Sequence, residues 1–202
     1  MSVETILALI GFAFVMSISP GPGNFLLLTS GVNFGYRRSL PLVLGINIGF
    51  LSMVFFVGLG LGKILQEVPL LYTILKFASA AYILWLAWKI STSRSLSQTD
   101  NEQMGKPLSF LQAAFLQLLN PKAWAVALIL SVSYTNPEQY LFSLLLMIGI
   151  FALINLPTIS VWALSGVALR HLLGNGKRIA VFNIAMALLL VASMLPVLLQ
   201  PI

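Results

Sequence analysis

Long apolar runs separated by short polar stretches dominate the pattern of this chain. Six such runs occur, and each is about as long as the roughly 20 residues that a helix needs to cross a bilayer. None shows the alternation over segments of about 10 residues that is typical of a membrane β-strand. Because backbone polar groups in lipid must be satisfied within the segment, we expect six helices. The runs cover residues 5–34, 40–61, 70–88, 108–134, 140–169 and 179–199.

The composition supports a membrane protein. Hydrophobic residues make up 59% of the 202 residues and charged residues 8%, whereas soluble domains carry about 25% charged residues. A water-soluble globule is therefore excluded. The net charge of +6 reflects a shortage of carboxylates rather than a dense basic face, which argues against nucleic-acid binding. Cysteine is absent, so disulfides and cysteine-based metal sites are excluded.

The six runs divide into two halves of three. We expect a first three-helix repeat over residues 1–90, a polar linker over 91–107 and a second three-helix repeat over 108–202. Because each half has an odd number of spans, the second must insert upside down relative to the first. The predicted fold is an all-α integral membrane protein with six transmembrane helices in two inverted repeats, an arrangement typical of secondary transporters. The N-terminal run is interpreted as a retained span, since no Lys or Arg precedes it.

Basic residues are distributed unevenly between the two sides of the predicted bundle. Eight of the 11 lie in or beside the loops that follow the first, third and fifth runs, namely Arg37, Arg38, Lys89, Arg94, Lys106, Arg170, Lys177 and Arg178. The opposite side carries Lys63 and Lys76, and Lys122 lies inside a run. By the positive-inside rule the eight residues and the linker face the cytoplasm, and both termini face the periplasm.

Proline interrupts the first and fourth runs near their middles, in the segments SPGPGN and NPK. Proline lacks an amide hydrogen and clashes with the carbonyl four residues before it, so we expect the carbonyls of Met16, Ile18 and Gln117 to be freed. Gly21 and Gly23 permit backbone angles that other residues avoid. A substrate ammonium group or water would satisfy the carbonyls. The amides that begin each second half-helix would attract a carboxylate.

The two breaks are therefore predicted to hold a zwitterion such as an amino acid. The candidate substrate-binding residues are Pro20, Gly21, Pro22, Gly23, Asn24, Asn47, Asn120, Pro121 and Lys122. Lys122 either binds the substrate carboxylate or locks the broken helix, the alternatives being that it snorkels or pairs with freed carbonyls. Asn47, Asn155 and Asn183 either line the path or bond across helices. The alternative for the breaks themselves is a pair of kinked helices that bind no ligand.

Glycine and tryptophan residues inside the runs each allow two interpretations. Three glycine pairs at the G-x-x-x-G spacing allow close helix approach, either within one monomer or in a homodimer. These pairs are Gly31/Gly35, Gly45/Gly49 and Gly58/Gly62. Trp124 and Trp162 lie away from the ends of their runs, where they either shape a pocket or fill space in the packing.

Four segments, in this order, resemble the LysE/RhtB family of amino-acid exporters: SISPGPGNFLLL, GYRRSL, AAYILWLAWKI and FLQLLNPKAWAVAL. The resemblance extends over nearly the whole chain, including its length, its six runs and its central polar loop. It implies a bacterial inner-membrane exporter of amino acids or close derivatives. The chain is similar to the branch that exports neutral amino acids, including cysteine-type and homoserine-type substrates.

No acidic residue lies within an apolar run. Glu4, Glu67, Asp100, Glu102 and Glu138 all lie in loops or at the ends of runs. A cationic side chain crossing the bilayer would therefore have no buried partner, which favours a neutral substrate. An ion gradient is expected to supply the energy, because no Walker-type phosphate loop is present. A proton is the candidate ion, although no carboxylate relay is evident, and no cofactor is expected.

Two other functions remain as alternatives, a small-cation exporter on a related fold and a membrane scaffold that transports nothing. Cation sites need clustered His, Cys, Asp or Glu, and the chain has one His and no Cys. A scaffold leaves the two helix breaks unexplained. An enzyme is not expected, since no nucleophile is accompanied by a base or a metal site.

Overall fold

The computed structural model describes residues 1–62, 67–92, 107–174, 177–195 and 199. Across these ranges all regular structure is helical, as predicted. The helices are α1 (Val3–Ile18), α2 (Pro22–Phe34), α3 (Tyr36–Phe56), α4 (Pro69–Ser91), α5 (Phe110–Leu118), α6 (Pro121–Ser133), α7 (Tyr140–Leu173) and α8 (Lys177–Ala192). A π-helical turn over Val57–Leu61 follows α3, and a 3-10 turn over Pro137–Gln139 precedes α7.

Three helical stretches are long and apolar enough to cross a bilayer: Tyr36–Leu61, Thr73–Ser91 and Pro137–Leu173. The number rises to five when each of two bent pairs, α1 with α2 and α5 with α6, counts as one span. The described residues thus contain three to five candidate spans, against six expected from the sequence. In the sixth expected span α8 covers 16 residues, and residues 196–198 lie outside the described ranges.

The predicted orientation depends partly on residues that lie outside the described ranges. Lys63, Arg94 and Lys106 belong to this group, as do residues 93–106 of the expected linker. The orientation of the termini therefore remains a prediction.

Helices from the first and second halves pack against each other throughout. One apolar cluster joins α2, α3 and α4 to α5, α7 and α8, and Leu27, Leu116 and Leu190 are fully buried in it. A second cluster joins α1 and α3 to α6 and α7, around Leu9 and Leu130. Lipid tails are as apolar as these side chains, so close packing rather than burial from water holds such helices together.

Glycines bring two helix pairs into close contact. A Cβ atom at Gly31 of α2 would collide with the carbonyl oxygen of Ala163 in α7, and one at Gly166 of α7 would collide with the backbone of α2. Cβ atoms at Gly45 and Gly49 of α3 would collide with the backbone of α5. Gly31, Gly45 and Gly49, which belong to the predicted pairs, therefore allow close contacts between helices of one chain.

A buried amide pair links α2 to α8. Asn33 Nδ2 donates to Asn183 Oδ1 at 2.8 Å, and Asn183 Nδ2 donates back to Asn33 Oδ1 at 3.1 Å. Neither side chain is more than 1% exposed. Bonds of this kind between membrane helices contribute about 0.6–2 kcal/mol. Of the two roles expected for Asn183, the structure shows bonding across helices.

Candidate functional site

The first break separates α1 from α2, whose axes are bent by 56°. Ser19 ends α1 in an extended conformation, and Pro22 occupies the first turn of α2, where its missing amide hydrogen costs nothing. Gly21 has a φ of 177°, which is extended backbone that any residue adopts, and Gly23 lies within α2. Neither glycine therefore uses the positive φ angles that glycine permits. The absence of a side chain at Gly21 leaves space for the side chain of Lys122, because a Cβ atom at Gly21 would lie 3.0 Å from Cδ of Lys122.

The carbonyl groups at the end of α1 are bonded by side chains of the same chain. Asn24 Nδ2 donates to the carbonyl oxygens of Ser17 and Ser19 at 2.8 and 2.9 Å. Trp162 Nε1 donates to the carbonyl oxygen of Ile18 at 3.2 Å. Ser19 Oγ donates to that of Met16 at 3.1 Å. Protein donors therefore already bond to the carbonyls of Met16 and Ile18, which were expected to be open to a substrate ammonium group or water.

Lys122, in the first turn of α6, reaches across to the first break. Its ammonium nitrogen lies 2.7 Å from the carbonyl oxygen of Ser19, 2.8 Å from Ser19 Oγ and 3.5 Å from the carbonyl oxygen of Pro20. In this structure Lys122 pairs with freed carbonyls, one of the alternatives expected for it. The contact joins the two breaks and places a positive charge beside Gly21.

The second break separates α5 from α6, which are bent by 68°. Asn120 caps α6: its Oδ1 accepts from the amide of Lys122 at 3.2 Å, and its carbonyl oxygen accepts from the amide of Ala123 at 3.0 Å. Trp124 Nε1 donates to the carbonyl oxygen of Leu118 at 2.8 Å. The carbonyl of Gln117, also expected to be free, accepts from the amide of Asn120 at 3.2 Å.

The two half-helices that begin at the breaks differ in their N-terminal capping. At α6 the side chain and carbonyl of Asn120 occupy the first amides. At α2 no side chain caps the helix, and the amides of Gly23 and Asn24 have no hydrogen-bond partner in the described part of the chain. A helix N-terminus with unpaired amides carries a partial positive charge and binds anions. The anion-binding potential therefore lies at α2.

A cavity of about 60 Å³ lies between the breaks. A cavity needs at least about 10–15 Å³ to hold one water molecule, so this cavity has room for water or for a small polar group. The cavity is lined by residues of α1, α2, α3, α5, α6 and α7 and of both breaks: Met16, Ser17, Gly21, Gly23, Asn24, Ile46, Phe50, Gln117, Asn120, Lys122, Ala123, Val126, Phe151, Asn155 and Ile159.

Five of the nine candidate site residues line this cavity, namely Gly21, Gly23, Asn24, Asn120 and Lys122. Pro20, Pro22 and Pro121 lie in the breaks beside the lining residues without lining the cavity themselves. Asn47 does not line the cavity, but its Oδ1 accepts a hydrogen bond at 2.7 Å from Nδ2 of Asn155, which does.

Three buried polar side chains at the cavity keep unpaired atoms. Asn24 and Asn120 are 7% and 6% exposed, and Gln117 is 3% exposed. Among the described residues, nothing donates to Asn24 Oδ1 or Gln117 Oε1, and nothing accepts from Asn120 Nδ2. Unpaired buried polar atoms are uncommon and point to a bound ligand or water.

Asn155 is not one of the nine candidates but was expected either to line the path or to bond across helices, and it does both. Two further polar lining residues, Ser17 and Gln117, were not suggested as site residues by the sequence. Each lies three residues before a break residue, Pro20 or Asn120, and so about one helical turn away. Ser17 Oγ donates to Asn155 Oδ1 at 2.7 Å, which ties α1 to α7. A search for polar residues one turn before each break would have found both.

The rest of the cavity wall is apolar. α3 contributes Ile46 and Phe50, one turn apart, and α7 contributes Phe151 and Ile159, two turns apart. The rings of Phe50 and Phe151 have centroids 5.0 Å apart and planes inclined at 43°. Lys122 is the only charged residue among those that line the cavity, and no Asp or Glu is among them. Over the residues described, no group of three or more His, Cys, Asp or Glu is arranged to hold a metal ion.

Comparison with known proteins gives a family match over most of the chain. Residues 14–198 match the model of the LysE type translocators. The cysteine/O-acetylserine efflux protein of Escherichia coli (strain K12) is 32% identical over 189 residues, covering 89% of this chain and 90% of the relative. Proteins of the same name from Escherichia coli O9:H4 (strain HS) and Shigella sonnei (strain Ss046) match with the same identity and coverage. No solved structure gives a significant match.

Proposed function

The chain belongs to the LysE family of translocators, and on that premise we propose that it exports neutral amino acids or close derivatives across the bacterial inner membrane. It acts as a secondary transporter driven by an ion gradient. The family and the apolar helices together indicate a multi-pass inner-membrane protein. The single observation that supports the proposal is the cavity between the two breaks, which combines an uncapped helix N-terminus with one half-buried cation, Lys122.

The substrate carboxylate binds at the start of α2. Gly23 and Asn24 supply amides that have no partner among the described residues, and Lys122 supplies a full positive charge close to Gly21. Charge-assisted hydrogen bonds to a carboxylate are about twice as strong as neutral ones. The capped N-terminus of α6 is not used for this purpose, because Asn120 already occupies its amides.

The substrate ammonium group binds to side-chain oxygens. Asn24 Oδ1 and Gln117 Oε1 accept no hydrogen bond within the described residues, and both belong to buried side chains of the cavity wall. Amide oxygens are neutral acceptors, so they suit an ammonium group whose charge is balanced by its own carboxylate. The break carbonyls are unsuitable, because Asn24, Trp162 and Lys122 already donate to them.

The side chain of the substrate is neutral. A lysine or arginine substrate would bring a second cation into a cavity that already holds Lys122, with no carboxylate among the lining residues to balance it. Unpaired charge inside a membrane protein is expensive. The named relatives are described as efflux proteins for cysteine and O-acetylserine, and both compounds have uncharged side chains.

The two bent pairs support an inverted repeat of two three-helix halves, with six spans in all. In each pair, a first half-helix ends just before a proline that begins the second half-helix. Broken helices at corresponding positions of two halves form the midplane site of many transporters. With the distribution of basic residues, this arrangement gives cytoplasmic residues 91–107 and periplasmic termini.

Transport by the purified protein in liposomes tests the proposal. Vesicles loaded with radiolabelled cysteine, serine, alanine, lysine or arginine are diluted into buffers that impose a proton or sodium gradient, and release is followed over time. We expect release of neutral amino acids above protein-free vesicles and little release of lysine or arginine. Release of lysine at the rate of the neutral substrates would contradict the neutral-substrate proposal. If the protein released no amino acid under either gradient, the proposal that it is an exporter would be wrong.

A further inference from the structure

The apolar side of the cavity is formed around one aromatic pair. Phe50 of α3 and Phe151 of α7 come from different halves of the chain, and their ring centroids are 5.0 Å apart. The two residues are 6% and 2% exposed, and both line the cavity. We propose that this pair sets the upper size limit of the exported amino acid. The inference rests on the proposed function and names the substrate class of that same site.

The pair is held in place from behind. Phe50 and Phe151 belong to the apolar cluster that includes Val54, Leu144 and Met147, all of which are almost fully buried. Close-packed interiors respond to the gain or loss of a single methylene, because neighbours relax only partly. The rings therefore form a firm wall rather than one that yields to a larger substrate.

The two rings limit the room for the side chain of the substrate. The residues that line the cavity include the two rings as well as Gly21, Gly23 and Asn24, where we propose that the carboxylate and ammonium groups bind. A substrate bound in this way places its side chain beside the rings, and a narrow group such as methyl, hydroxymethyl or sulfanylmethyl suits that position. The branched side chain of leucine or the ring of phenylalanine would have to displace a ring. The pair is therefore expected to admit narrow uncharged side chains and to exclude branched or aromatic ones.

Truncation of either ring should allow amino acids with larger side chains to be exported. Phe50→Ala and Phe151→Ala are assayed in liposomes with labelled alanine, cysteine, leucine and phenylalanine, each rate being divided by the amount of inserted protein. We expect the ratio of leucine to alanine export to rise at least about tenfold, since a hydrophobic pocket discriminates by about 10–200-fold per methylene-sized difference. Phe142→Ala is the matched control, because Phe142 lies in the same helix as Phe151 but is 65% exposed. Its ratio should stay at the wild-type value.

Two further variants keep the test decisive if an alanine variant does not insert. Phe151→Leu makes a smaller opening and should raise the same ratio by less. Ala123→Val adds bulk at another lining residue and should reduce cysteine export more than alanine export. Wild-type export of small neutral amino acids with unchanged ratios in the Phe50 and Phe151 variants would overturn this inference alone. A wild-type protein that exports no neutral amino acid would overturn the proposed function as well.

Discussion

The ammonium nitrogen of Lys122 lies 2.7 Å from the carbonyl oxygen of Ser19, although the two residues are 103 positions apart. The contact connects the last residue before the first break with the first turn of the half-helix after the second. It satisfies a carbonyl that the end of α1 leaves without a helical partner. The same ammonium group supplies the positive charge of the cavity, so one side chain connects the two breaks and, in the proposed function, attracts the substrate carboxylate.

Replacing Lys122 by methionine should therefore affect transport more than insertion. In Lys122→Met the carbonyl oxygen of Ser19 keeps its hydrogen bond from Asn24 but loses the one from Lys122. The substitution also removes the charge that attracts a carboxylate. We expect export of neutral amino acids, per inserted molecule, to fall by at least about tenfold, or about 1.4 kcal/mol, because a hydrogen bond to a charged group contributes about 1.5–3 kcal/mol. Lys177→Met, at the exposed start of α8, is the control and should export normally. Normal export by Lys122→Met would exclude a role for this charge.

We propose two roles for Asn120, capping α6 and donating to the substrate, and substitutions can separate them. Its Oδ1 caps α6, and its Nδ2 faces no partner among the described residues. Asn120→Leu should lose the cap, at about 1 kcal/mol of stability, and should also abolish most export. Asn120→Ser retains a capping oxygen but loses the amide donor, so it should recover stability and not export. The measurements are thermal unfolding in detergent and export normalised to inserted protein.

A second asparagine provides the matched control for that experiment. Asn136 caps the 3-10 turn before α7, where its Oδ1 accepts a hydrogen bond from the amide of Glu138 at 2.9 Å, and it does not line the cavity. Asn136→Leu should lower stability slightly and leave export per molecule unchanged. Equal losses of export in Asn136→Leu and Asn120→Leu would show that capping alone accounts for the effect.

Close packing between α2 and α7 should make Gly166 intolerant of any side chain. A Cβ atom there would collide with the carbonyl oxygen of Leu28, which is backbone and cannot rotate away. We expect Gly166→Ala to lower the unfolding free energy by about 1–3 kcal/mol, the usual cost of overpacking. Gly149→Ala, in the same helix, has open space around the new atom and should be neutral. Thermal unfolding of the two purified variants distinguishes these outcomes, and equal stability would contradict the close contact.

The predicted orientation can be checked with reporters fused to each terminus. Both termini should lie in the periplasm, because eight of the 11 basic residues accumulate in or beside the loops on the other side. A periplasmically active reporter such as alkaline phosphatase should therefore be active at both ends, and a cytoplasmic reporter should be inactive. Opposite activities at the two ends would mean an odd number of spans and would exclude the six-span arrangement.

Much of the architecture follows from the sequence by itself, because its physical cause is local. Apolar length predicts membrane helices, since a lipid-exposed backbone must bond to itself. The prolines at positions 20, 22 and 121 mark where helices end and begin, because proline lacks an amide hydrogen. The short motifs around them were enough to indicate the family, and the segments that carry them lie within residues 14–198, which match it.

Only the tertiary structure decided which groups at the breaks are available to a ligand. The carbonyls of Met16, Ile18 and Gln117 were expected to be open, yet partners from the chain bond all three, including an indole 144 residues away from Ile18. Whether an amide or carbonyl is free depends on which side chains from distant parts of the sequence reach it. A local sequence pattern does not show which side chains these are. The same reason explains why the apolar wall formed by Phe50 and Phe151 could not be read from two separate runs of the sequence.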